Sequence, residues 1–168
     1  MVVQEKGNHL KYLIDRYDRY FQVVDAKGNI ILAYHLFIIG GLLLNYEDLN
    51  EVYTGGLLSF SSIVWLTSII STVSVSIILV SIFPYLRKGA YSDSESLIFF
   101  MSVSEMKLER FGDKVRKMVE SDLEDDLIEQ AHTLAKGLRK KFQSTNMAAK
   151  VTIGHLLIAG LILIQFLL

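Results

Sequence analysis

The sequence predicts an all-α membrane protein. It has three transmembrane helices, an amphipathic N-terminal helix and a helical cytosolic domain, and the last long helix of that domain runs into the third span. Three observations predict this. Tyr53 to Leu86 is a run of thirty-four residues without a charged side chain, whereas about 18 apolar residues already suffice to cross a bilayer as a helix. Gly28–Asn45 and Val151–Leu168 are two further apolar blocks of about eighteen residues each. The polar segments around these blocks carry apolar residues at three- and four-residue steps, the spacing that lines one face of a helix. The resulting segments are residues 1–26 as a cytosolic amphipathic helix, 27–45 as the first span, and 46–61 as an external loop. Residues 62–86 form the second span, 87–147 the cytosolic helical domain, and 148–168 the third span.

Each element has its own justification. In the first segment Leu10, Leu13, Ile14, Tyr17, Phe21 and Val24 fall on one face, and Lys6, Lys11, Arg16 and Arg19 lie mostly elsewhere. Such a helix suits a membrane surface, or packing against the other cytosolic helices. The first span holds His35 and the pair Gly40-Gly41; small residues let membrane helices approach closely. His35 reads as a histidine bonded to a neighbouring helix, with a pore-lining or proton-linked role as the other reading. The second span is bracketed by Trp65 and by Pro84-Tyr85, aromatic residues of the kind enriched at membrane interfaces. Ser61, Ser68 and Thr72 on it share a face suited to helix packing or to a pore.

In the polar region Ser92–Glu95, Ser102–Glu105 and Ser121–Glu124 each match the capping-box pattern of a helix start. From Ser121 no breaker interrupts a helix to the C-terminus. Leu123, Leu127, Ala131, Leu134, Leu138 and Phe142 make its apolar stripe, and His155 and Gln165 are its buried polar members in the third span.

Charge sets an orientation. Of 17 Lys and Arg residues, five lie at or before Lys27 and twelve between Arg87 and Lys150; none lies in the acidic loop Asn45–Gly56. Basic residues mark the cytoplasmic side, so the N-terminus is expected inside and the C-terminus outside. The N-terminal segment lacks the short basic start of a cleaved signal peptide, so it is expected to remain in the mature protein.

The net charge of −1 gives no reason to expect a nucleic-acid partner. Cysteine is absent, which excludes disulfides, thiolate metal sites and a cysteine nucleophile. The sequence carries no phosphate-binding glycine loop, no His-Glu-x-x-His, no Gly-x-Ser-x-Gly and no metal-ligand cluster, so neither an enzyme nor a cofactor is expected. A phosphate-bearing ligand would need cations and helix N-termini. The cytosolic region offers His132, Lys136, Arg139, Lys140 and Lys141, which equally satisfy the positive-inside pattern.

Three runs together resemble a known family. Arg19-Tyr-Phe-Gln-Val-Val-Asp25-Ala-Lys27-Gly-Asn-Ile-Ile-Leu resembles an aspartate-x-lysine signature leading into a first membrane helix, departing from it at Gly28 and Asn29. Ser96-Leu-Ile-Phe-Phe100 is similar to a second signature after the second span. Leu127 to Phe142, with Gln130, His132, Lys136 and Lys141, is similar to a third, which feeds the last span. The family is the Pycsar membrane effectors, and the likeness covers about residues 10–168.

The resemblance implies antiphage defence in the bacterial inner membrane. A separate nucleotide cyclase supplies cyclic UMP or cyclic CMP, and the effector, a homo-oligomer in membrane lipid, senses it and impairs the membrane. On this reading Gln130, His132, Lys136, Arg139 and Lys141 bind the messenger, and Asp25, Lys27, His35 and His155 have gating or structural roles. The alternative is a non-enzymatic regulatory or structural membrane subunit whose cytosolic helices bind a protein partner.

Overall fold

The structure, a computed structural model, describes the backbone of residues 2–53, 59–82 and 96–167. Within those ranges it is helical and without strands. The helices are α1 (Val2–Leu44), α2 (Tyr46–Val52), α3 (Phe60–Ile82), α4 (Phe100–Glu105), α5 (Leu108–Lys117) and α6 (Glu120–Leu167). Glu5–Leu44 and Phe60–Ile82 are long and apolar enough to cross a membrane. The block from Val151 is helical to Leu167 as part of α6. The chain divides into two compact units, one of Met1–Gln22 with Pro84–Lys140, the other of Val23–Phe83 with Lys141–Leu168.

In the first unit the start of α1 runs parallel to the start of α6. Lys6 Nζ lies 4.0 Å from Glu124, and the Phe21 ring sits over Gly137. Leu10, Ile14, Tyr17 and Phe21 are half-buried, and on α6 Leu127, Ala131 and Leu138 are buried. The apolar stripes expected on both helices therefore pack, because each follows the three- and four-residue steps of one helix face.

Local start signals fare less well. Ser102 lies inside α4 and does not cap it. The approach to α4 is fixed upstream, where Asp126 of α6 accepts hydrogen bonds from Ser96 Oγ and from the backbone N–H of Leu97 (2.8 Å) and Ile98 (3.1 Å). Ser96 Oγ in turn accepts from Phe99 N at 2.9 Å. A carboxylate from another helix, together with Ser96, thus satisfies the amides ahead of α4. The start of α6 is similarly shifted: Asp122 Oδ2 accepts the Val119 N–H at 3.2 Å, the acidic half of a capping box two residues earlier than Ser121–Glu124. Ser92–Glu95 and Pro84-Tyr85 lie outside the described residues, as does the Gln165 side chain.

In the second unit the rest of α1 meets the rest of α6 in parallel, at Asp25–Lys141 and His35–Thr152. α3 runs antiparallel to α1, with Gly28 against Ile78 and His35 against Ser71. α1 passes unbroken through residues 26 and 27. Gly28 does not interrupt it; a Cβ there would meet Ile78 at 3.7 Å, an ordinary contact that leaves room for alanine. The segment 46–61 is not all loop. It contains α2, whose Tyr46, together with Tyr53, packs on Phe60 at ring separations of 5.4 and 5.9 Å. Glu47 and Asp48 in its first turn favour the helix start. Outward faces are apolar, including Phe37 and Ile30 on α1, Trp65 and Val80 on α3, and Leu157 on α6.

The Asp126 tie carries a prediction. Asp126→Ala strands the Ser96 hydroxyl and the Leu97 N–H, each costing about 1–3 kcal/mol when left buried and unmatched, while the Ile98 N–H keeps Ser96 Oγ as a second acceptor at 3.2 Å. We expect a lower unfolding temperature in detergent and faster proteolysis between Ser96 and Glu105, with Asp126→Asn affected less. Unchanged proteolysis would show that this segment is held by other contacts.

Candidate functional site

Polar side chains gather in the core of the second unit, between α1, α3 and α6. His35 is fully buried. Its Nδ1 lies 3.0 Å from Ser71 Oγ and its Nε2 lies 3.0 Å from Thr152 Oγ1. The tautomer follows from hydrogen counting. Thr152 donates its one proton to Ala148 O at 2.9 Å, so Nε2–H of His35 is the donor to Thr152 and Nδ1 accepts from Ser71. Ser74 Oγ reaches the same Thr152 oxygen at 3.5 Å. One imidazole therefore ties all three helices.

His155 lies beside it. The two rings are parallel, 5.4 Å apart and 3° from coplanar, and Tyr34 meets both edge-on, at 4.9 Å from His35 and 5.7 Å from His155. His155 is 1% exposed. Neither of its nitrogens, nor the Tyr34 hydroxyl, has a hydrogen-bond partner among the described residues.

Further along α1 and α6, Lys141 Nζ contacts Asp25 at 2.5 Å, with side-chain exposures of 14% and 42%. Lys27 is exposed. The structure therefore joins Asp25 to Lys141 and His35 to His155, and leaves Lys27 outside both pairs.

In the first unit His132, Lys136 and Arg139 are exposed and share one face of α6. Gln130 lies on the opposite side of the helix at about 100° per residue; it is half-buried, and its Oε1 is buried without a partner. The helix thus presents three cationic or titratable groups together, and does not add Gln130 or Lys141 to them. Among the described residues no three His, Asp or Glu side chains group as a metal site.

The buried polar set on α3 is Thr67, Ser71 and Ser74, in place of the expected stripe of Ser61, Ser68 and Thr72. Ser61 and Thr72 face outward, and Thr72 Oγ1 donates to Ser68 O at 2.8 Å, satisfying itself on its own helix. Thr145 and Thr152 also went unread. Spacing carried the signal. On α6 the stripe Leu127, Ala131, Leu134, Leu138 continues in the same steps through Lys141, Thr145, Ala148, Thr152 and His155. Hydropathy hides this continuation because its members are polar in an apolar block.

A family model described as the Pycsar effector protein domain matches residues 9–168. No curated protein and no solved structure gives a significant match to the chain.

A double-mutant cycle between His35 and Thr152, using His35→Leu and Thr152→Val, measures the central tie. Hydrogen bonds between membrane helices couple by about 0.6 kcal/mol on average and up to about 1.7. We expect the upper half of that range, because His35 is answered on both nitrogens. Zero coupling in unfolding titrations would remove the bond from the account of stability.

Proposed function

The chain belongs to the Pycsar effector protein domain family, and from that membership we propose that it is an antiphage membrane effector that senses cyclic UMP or cyclic CMP. The observation that carries the reading is the match over residues 9–168, which takes in every signature of the sequence. On this reading a separate cyclase makes the messenger and the effector impairs the inner membrane, so that the infected cell stops growing or dies. Protomers assemble as a homo-oligomer with three spans each, N-terminus inside and C-terminus outside. The outward apolar faces of α1 and α3 suit lipid or a second copy.

The messenger's phosphate meets Lys136 and Arg139, and His132 bonds its base or ribose. Their common exposed face supports this assignment. A cyclic phosphodiester carries one negative charge, and two cations answer it with charge-assisted hydrogen bonds. Gln130 and Lys141 lie on the other side of α6, where Lys141 pairs with Asp25. Binding at α6 reaches the membrane through the same helix, which is unbroken from Glu120 to Leu167. The ligand acts only through its preference between resting and active states; moving from 1:99 to 99:1 takes about 5.5 kcal/mol.

Loss of the membrane potential across liposomes holding the full chain, with cyclic mononucleotides and cyclic dinucleotides added in turn, tests the sensing step. Response to one cyclic pyrimidine mononucleotide is expected. Lys136→Ala with Arg139→Ala should abolish it without lowering expression. No cellular or liposomal response from folded, correctly oriented protein would favour a subunit that binds a protein partner. A reporter fused at the C-terminus is expected to read as external.

A further inference from the structure

Polar side chains line the core of the second unit in a file. It begins at the Asp25–Lys141 pair and continues through Thr145, Ser74 with Thr152, and Ser71 with His35, to His155 beside Tyr34. On α6 the file runs from Lys141 to His155, roughly 21 Å at 1.5 Å per residue, against about 30 Å of hydrocarbon. A seam built only for packing would satisfy its members, as His35 is satisfied. In hydrocarbon an unmatched polar group is costly, yet three buried atoms have no partner among the described residues: both His155 nitrogens and the Tyr34 hydroxyl.

We propose that this file is a proton path with His155 as its carrier, and that protons are what the activated protein lets through the membrane. The proposal rests on the effector reading for what opens the path. Neutral imidazole carries one N–H and one lone pair. A proton arriving at the free nitrogen of His155 gives imidazolium, and release of the other N–H proton leaves the neutral ring in its opposite tautomer. A ring turn then restores the first tautomer, so one proton crosses with no net change.

The groups facing His155 suit a transient charge. From α1 come the Tyr34 ring, edge-on, and His35, whose ring is already committed to Ser71 and Thr152. The buried polar groups of α3 in the same core are hydroxyls, Thr67, Ser71 and Ser74. The nearest cation on α6 itself, Lys150, is exposed and lies about 140° around the helix from His155; within the file the nearest is Lys141, about four turns away. No carboxylate in the described core is placed to trap the proton on His155.

Two measurements on the full chain test this. The first needs no messenger: solid-state NMR of 15N-histidine-labelled protein in lipid, with magnetisation transferred from water to the His155 ring. A water-exchanging His155 is expected, and a dry one overturns the path. The second uses liposomes loaded with pyranine or carboxyfluorescein, under a pH gradient and a valinomycin-clamped potential, with cyclic UMP or cyclic CMP added.

Messenger-dependent proton flux without carboxyfluorescein release is expected. It should fall to the level of empty liposomes in His155→Phe and His155→Gln variants that still bind messenger. Release of both probes together overturns the proton path and leaves the effector reading standing. Proton flux that persists in both His155 variants also overturns the path. Absence of nucleotide binding overturns the effector reading, while the water-transfer measurement still decides whether His155 exchanges protons.

Discussion

A hydrogen-bonding group enclosed by apolar side chains must be answered by another group, and inside a bilayer no water does so cheaply. His35 meets this demand with a hydroxyl from α3 and a hydroxyl from α6. Because both partners are short side chains, the three helices have little freedom to slide or rotate without breaking one bond. The same demand operates at Asp126, where a carboxylate answers the amides ahead of α4. Apolar burial brings these helices together; the polar ties select one register from the many that burial alone would accept.

The helices themselves were legible in the sequence wherever apolar spacing was strong. Leu127, Ala131 and Leu138 pack as their spacing required, and an uninterrupted final helix follows from the lack of a breaker after Ser121. Capping boxes misled because they are short. Ser102 and Ser121 fit the pattern, but Asp126 fixes the approach to α4 from another helix and Asp122 caps α6 ahead of Ser121. The polar core was only half visible. His35 and His155 stand out as titratable residues in apolar blocks, whereas Ser71, Ser74 and Thr152 are unremarkable by composition. Ser61, Ser68 and Thr72 share a face just as well, and nothing local distinguishes the stripe that meets partners from the one that turns away.

Function divides along similar lines. Family membership comes from the match over residues 9–168, and the outward cations on α6 give the messenger reading a physical surface. Lys141 shows how a signature residue acquires a different role in three dimensions: its place in the file of buried positions puts it against Asp25 and away from Lys136 and Arg139. The paired histidines also differ in kind. One is fully bonded and orders the bundle; the other is enclosed and unmatched, so the energetic cost of its position calls for an explanation beyond packing.

The spacing of buried positions on α6 restricts how such a chain can change length. Adding one residue between Leu138 and Thr152 would turn everything after it by about 100°, carrying Thr152 and His155 out of the core. Adding seven would return them to within about 20° of their original direction but carry them about 10.5 Å further along the axis, at about 1.5 Å per residue. Length change in this helix therefore keeps the core only as whole pairs of turns matched by equal changes in α1 and α3.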